Sequence, residues 1–272
     1  MKRVLSLFFM TTLLLCQASI AQDKLYLQFE YMRVDEGQVN DYWETETFWE
    51  KIHQQAAING DIQGWDLWSL QPGGEDQGFQ YLVVTLFDNP VAMMTGVSWE
   101  KLLANAKKAY PEMSEDEITA KINNASKTRD LAVRVYYERI ANTSGDFEMK
   151  VGTVASLDIM KVDMGKYSAY EKAEKEVYQP WHQEMVDAGQ KGSWELLRVI
   201  SPIGSEVYAS HMTVNMYSGY EQYFNPPEYD FGTPTEEERA AVQEGLKTRD
   251  MKWVYMATLQ KKVRKPAMTQ KN

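Results

Sequence analysis

Residues 31–46 read YMRVDEGQVNDYWETE, and residues 159–174 read IMKVDMGKYSAYEKAE. Superposed at an offset of 128, Met, Val, Asp, Gly, Tyr and Glu coincide, and Arg33 faces Lys161. A second match follows at an offset of 129. HQQAAINGDIQGWDL at 53–67 meets HQEMVDAGQKGSWEL at 182–196, with His, Gln, Gly, Trp and Leu in common and Asp66 facing Glu195. A third match, KTRD, stands at 127–130 and again at 247–250. Four letters can recur by chance, but three matches in the same order in both halves identify a tandem duplication. The units span 22–141 and 152–264, with the linker Ala-Asn-Thr-Ser-Gly-Asp from 141 to 146 and a tail at 265–272.

Both units follow one plan. Residues 25–34 alternate and predict a strand. Tyr42, Trp49, Ile52 and Ala56 recur at helical spacing over 38–59, and Gly60 ends that helix. Residues 65–70 and 79–87 predict two strands around a Pro72-Gly73-Gly74 turn. Ser114 and Glu117 form a capping box that starts a second helix, and 131–140 predicts the last strand. Unit two repeats this at 153–162, 167–188, 194–200, 207–217, a helix from Thr235, and 251–260. KTRD then closes the second helix and opens the last strand of each unit. Lys127 and Arg129 suit a helix C-terminus, so the motif reads as a structural joint copied with the unit.

The change of offset from 128 to 129 places one extra residue between Glu174 and His182. Each helical residue turns the chain by about 100°, so an uncompensated insertion would swing His182 off the face that His53 occupies. The pattern nevertheless resumes intact. Pro180 lacks the N–H that would bond a carbonyl one turn back. A π-bulge or kink at 176–180 is therefore expected, with no counterpart around Lys51.

The βαββαβ order, with strand–Asp-x-Gly–helix entries at Asp35/Gly37 and Asp163/Gly165, resembles the dimeric α/β-barrel superfamily. That group includes antibiotic-biosynthesis-monooxygenase-like, NIPSNAP-like and chlorite-dismutase-like proteins. The resemblance implies an α+β fold in which two tandem ferredoxin-like units join their sheets into an intramolecular pseudo-dimeric barrel. Helices would lie outside and a ligand cavity within. It does not imply a reaction, because the group spans oxygenases, haem proteins and isomerases.

On the first strand Leu25, Leu27, Phe29 and Tyr31 form an apolar face, expected to meet the helices. Tyr26, Gln28, Glu30 and Met32 form a mixed face, expected to line the barrel, as do Val154, Ser156, Asp158 and Met160 in unit two. Glu30 and Asp158 would then oppose each other across the cavity. A buried carboxylate pair can exchange protons, so these two and His211 are the candidate catalytic groups. Pairing with Arg134 or Arg198 is the plainer alternative. Gln28, Tyr81, Ser156, His182 and His211 are the candidate ligand-binding residues. His53 and His182 are equivalent and near helix ends, where the dipole or a carbonyl can hold them. His211 is expected in the cavity, and its unit-one counterpart lies near Tyr81. The aromatic loop SGYEQYFNPPEYDFGTP at 218–234 is a candidate lid, whereas its counterpart at 88–113 reads as helical.

The chain begins MKRVLSLFFMTTLLLCQASIAQ. Two basic residues, an apolar run from Val4 to Leu15 and a small-x-small pattern ending at Ala21 read as a signal peptide cleaved after Ala21. This points to a secreted or periplasmic protein. Lipidation of Cys16 is a weaker alternative, because Leu15 stands where a small residue belongs. Cys16 is the only cysteine, so cleavage would leave no disulfide, thiolate nucleophile or cysteine metal site. Removing Lys2 and Arg3 takes the net charge from −10 to −12, which disfavours a nucleic-acid surface. No later segment is apolar enough to span a membrane. Phosphate loops, nucleophile elbows and dense metal-ligand clusters are absent from the sequence, and no metal is expected.

These readings converge on an exported barrel that binds a small apolar or aromatic molecule, monomeric with its pseudo-dimer internal to the chain. Catalysis stays open. One alternative is a haem-handling or oxygenase-type enzyme ligated by His182 or His211. Another is a non-catalytic accessory to extracellular carbohydrate degradation that uses exposed Trp and Tyr.

Overall fold

Eight strands, all paired antiparallel, close into a barrel in the order β1-β3-β2-β8-β5-β7-β6-β4. The computed structural model describes residues 24–72 and 77–266. The expected signal peptide at 1–21 with Cys16, Gly73 and Gly74 of the β2–β3 turn, and residues 267–272 of the tail lie outside the described residues. Unit one contributes β1 (Tyr26–Arg33), α1 (Val39–Asn59), β2 (Gly64–Gln71), β3 (Tyr81–Phe87) and β4 (Asp130–Asn142). Three further helices, α2 (Pro90–Thr95), α3 (Trp99–Ala109) and α4 (Glu115–Asn124), lie between β3 and β4. Unit two contributes β5 (Val154–Lys161), α5 (Tyr167–Ala173), α6 (Gln179–Asp187), β6 (Ser193–Ser201) and β7 (His211–Tyr217). It ends with α7 (Tyr220–Phe224), α8 (Glu236–Leu246) and β8 (Asp250–Arg264). Each unit alone would have an open edge on both sides. Pairing β2 with β8 and β4 with β6 removes all four edges at once.

The local signals act as expected. Gly60 stops α1 in the left-handed region at φ 79°. Ser114 with Glu117, and Thr235 with Glu238, form complete capping boxes at α4 and α8. Between α5 and α6 the chain makes a π-helical turn over Glu174–Tyr178. The extra residue is absorbed there, just before Pro180, and α1 runs unbroken. His182 stacks on Trp194 at 5.0 Å and 22°, as His53 stacks on Trp65 at 5.1 Å and 19°. The bulge therefore restores the phase of the repeat.

The strand faces are the reverse of the expectation. Leu27, Phe29 and Tyr31 share one buried cluster with Leu157, Ile159, Leu197, Val214, Tyr255 and Leu259, drawn from strands of both units. That cluster is the barrel interior. Tyr26 and Met32 instead pack with Tyr42, Ala56, Trp65 and Met93 beneath the helices. The barrel axis is reached by side chains from eight strands and is the driest place in the molecule, so it takes the wholly apolar face. The helix-covered face can hold polar groups because the helices supply partners for them.

Candidate functional site

Glu30 and Asp158 consequently do not oppose each other across the cavity. Each lies on the outer face of its own unit's sheet. Glu30 is ion-paired with Arg134, which donates to it from Nε at 3.0 Å and from Nη2 at 2.5 Å. Gln28 is half-buried on the same face, opposite Thr85 and Tyr136. Tyr81 packs between Tyr42 at 4.4 Å and Trp43 at 5.6 Å. His211 occupies the position of Tyr81 in unit two, since these residues face Met160 and Met32 respectively. It is fully buried under α5 rather than in the barrel. Its Nδ1 lies 3.0 Å from Ser210 Oγ and its Nε2 3.2 Å from Glu171, which also pairs with Arg198 at 3.0 Å.

Ser156, Asp158 and His182 do come together, in the layer between the sheet of unit two and its helices. Asp158 accepts from Ser156 Oγ at 2.5 Å, Thr213 Oγ1 at 3.1 Å and Asn215 Nδ2 at 3.0 Å. Asn215 Oδ1 in turn accepts from Lys191 Nζ at 2.7 Å, and Lys191 lies 3.1 Å from His182 Nδ1. Burial pushes the Lys191 amine down to about 8, with Asp158 opposing the shift. Burial, then the charges of Lys191 and Arg249, push His182 down to about 3. His182 is thus neutral near pH 7, and Nδ1 can accept from Lys191. In unit one the equivalent positions hold Ile62, Val83 and Thr85. Arg134 of unit one is replaced by Val254 across from Asp158. Asp158 makes no ion pair among the described residues, unlike Glu30. One copy of the repeat holds an ion pair, and the other holds a hydrogen-bonded relay.

The KTRD motif has a role beyond a joint. Arg129 forms an ion pair with Glu46, and Arg249 lies 3.5 Å from Glu174. Both carboxylates are buried. Burial pushes Glu46 up to about 7 against the pull of Arg129, and raises Glu174 against that of Arg249. Tyr42 and Tyr170 lie beside these pairs and are raised by burial and by the adjacent carboxylate. The four conserved letters therefore deliver an arginine to a buried glutamate in each unit. The recurrence of Tyr42/Tyr170 and Glu46/Glu174 in the opening match was the available signal, but nothing linked those glutamates to arginines more than seventy residues away.

The barrel itself encloses a cavity at each end. The smaller, about 360 Å³, is floored by Leu27, Phe29 and Leu157 and covered by Ser144, Phe147 and Met149 from the segment between the units. Phe147 rests on Gly192, where a Cβ would come within 2.3 Å of the ring. The larger, about 750 Å³, opens at the opposite end between Pro72, Pro202 and Tyr208. Its walls are Tyr31, Phe79, Tyr137, Ile159, Val199 and Tyr255, and Trp253 stands exposed at its rim. None of its described lining residues is charged. The aromatic loop at 218–234 covers neither cavity. Gln222 and Gln190 tie it to the β6 approach, through Gly189 O at 2.7 Å and Pro227 O at 3.0 Å, and Phe231 meets Trp181. It overlies the layer that holds Lys191.

A haem iron held by His182 or His211 would need an imidazole nitrogen facing open space. Neither cavity has a histidine in its wall. Both nitrogens of His211 are engaged, and His182 is stacked between Trp181 and Trp194. No histidine is placed to act as an axial ligand in the barrel. Among the described residues no group of three or more His, Cys, Asp or Glu could hold a metal ion, and no helix is long and apolar enough to cross a membrane.

The chain has the dimeric α/β-barrel fold. It superposes on a provisionally assigned monooxygenase from Fusobacterium nucleatum with a TM-score of 0.55 at 8% identity, covering 92% of this chain and 98% of the other. An anthrone oxidase-like protein gives 0.54 at 10% identity, with 93% and 98% covered. A provisionally assigned monooxygenase from Lactobacillus acidophilus NCFM gives 0.53 at 11% identity, with 91% and 99% covered. No family model matches the chain, and no curated protein does.

Proposed function

We propose that this protein binds a small apolar or aromatic molecule in the larger cavity of its barrel. The observation that carries this reading is the cavity itself. Its volume of about 750 Å³ suits a ligand of drug size, and its aromatic and aliphatic walls suit apolar contact. Burying apolar ligand surface there is favourable by about 25 cal/mol per Å² before the cost of association. The signal-like stretch at 1–21 supports the further reading that the protein acts in the periplasm or outside the cell. Fluorescence titration with diphenylmethane tests the binding, because Trp253 stands at the mouth. Saturable quenching that disappears in Ala209→Trp, which fills the opening, is expected. Absence of binding, or binding untouched by that substitution, would overturn it.

A second reading, catalysis in unit two, is favoured by the divergence between the copies. Asp158 faces Val254 where Glu30 faces Arg134, and it connects through Asn215 to Lys191, whose amine burial lowers to about 8; a lysine perturbed in this way marks active sites more often than chance. The two fold relatives described as provisional monooxygenases and the anthrone oxidase-like protein make an oxidative reaction the one to test first. Oxygen consumption in the presence of a bound ligand, lost in Asp158→Asn, is the expected signature. The same rate in both proteins would remove this reading.

A further inference from the structure

The larger cavity contains groups that a hydrocarbon ligand would leave unused. Tyr31, Tyr137 and Tyr255 line it and are 5%, 2% and 9% exposed. Their hydroxyls make no hydrogen bond among the described residues. Burial raises all three phenols, and Tyr137 and Tyr255 add to the shift at Tyr31, so the hydroxyls stay protonated. A neutral phenol can donate a hydrogen bond to a ligand that enters the cavity. The rings are held in place by Phe29 against Tyr137 at 4.9 Å, and by Phe79 against Tyr31 and Tyr255 at 4.8 Å and 5.7 Å. The donors are therefore fixed before any ligand arrives.

The sign of the ligand's polar group follows from the wall. A carboxylate or sulfonate entering the cavity would lose its water and meet no cation among the described lining residues. An ammonium would lose its water and meet no anion among the described lining residues. A neutral acceptor oxygen finds phenol donors in the wall and gives up less hydration than an ion. We infer that the ligand is a neutral carbonyl compound whose oxygen accepts from the Tyr31–Tyr137–Tyr255 cluster while its apolar body lies along Phe79, Ile159 and Val199. This deepens the cavity reading above and rests on it.

The test is a calorimetric titration of the intact chain with three matched probes: benzophenone, diphenylmethane and diphenylacetate. Benzophenone should bind about tenfold more tightly than diphenylmethane, the worth of one well-made buried hydrogen bond, and diphenylacetate most weakly. Tyr31→Phe or Tyr137→Phe keeps the ring and removes the donor. Each should shrink the ketone-to-hydrocarbon affinity ratio several-fold, and a cooperative urea melt of each variant reports that it is folded. Tyr255→Phe, nearer the rim, serves if the two deeper variants do not fold. Equal affinity for ketone and hydrocarbon, or an advantage that survives all three substitutions, would overturn the inference and leave the cavity reading standing. If none of the probes binds, the cavity reading itself fails.

Discussion

Glu46 offers a sharp test of how the duplicated motif is built. Its carboxyl is fully buried and faces Arg129, yet burial outweighs the ion pair and lifts it from 4.5 to about 7. A carboxyl raised in the folded state favours folding while it is protonated. That contribution is complete below pH 4.5, where the unfolded chain also holds its proton, and is lost as pH rises through 7. At about 1.4 kcal/mol per pH unit the loss amounts to about 3 kcal/mol. Glu46→Gln removes the titration and keeps the shape and an acceptor for Arg129. The stability of the variant relative to the parent should therefore rise by about 3 kcal/mol between pH 4.5 and pH 8, whatever their difference at the acid end. Urea denaturation followed by tryptophan fluorescence at four pH values measures it. A pH-independent gap would show that the Glu46 carboxyl is not raised by folding. A gap of the opposite slope would show that Arg129 holds Glu46 ionised.

His182 titrates the other way: pushed down from 6.5 to about 3, it stabilises fully above pH 6.5 and loses that contribution as pH falls toward 3, so His182→Gln should flatten the acid limb of the stability curve in urea titrations. Gly192→Ala drives a Cβ into the Phe147 ring and should cost about 1–3 kcal/mol, with part recovered in the double variant with Phe147→Ala when both are melted in parallel. Deleting Glu176 from the π-turn should leave a continuous helix of the α1 type with helical circular dichroism and cooperative melting retained. Deleting Lys51 from α1, where no bulge can absorb the change, should turn His53 about 100° away from Trp65 and destabilise much more.

The architecture was legible because duplication writes it twice. The Met-x-Val-Asp-x-Gly entries fixed the strand-to-helix turns, and the slip of one residue between Glu174 and His182 located the π-turn to within two residues. The orientation of the strands was not legible. On β1 the choice between Leu27/Phe29/Tyr31 and Gln28/Glu30 as the inward face depends on whether barrel axis or helix layer is drier, and period-2 alternation reads identically for both. The same gap hid the roles of Arg129 and Arg249, whose partners lie 83 and 75 residues away in the chain. Lys191 could have been found by comparing the copies, since Ile62 stands opposite it in the aligned repeat. The cavity tyrosines could not, because Tyr31, Tyr137 and Tyr255 read as ordinary strand aromatics until the sheet is closed.

The account stands or falls on where a ligand goes. A crystal structure of the intact chain soaked with diphenylmethane is the direct measurement. The molecule is predicted to lie inside the barrel, in contact with Tyr31, Phe79 and Val199 and beneath Trp253. Density only in the layer between the unit-two sheet and α6, beside Lys191 and Asp158, or no bound molecule at a saturating concentration, would contradict it.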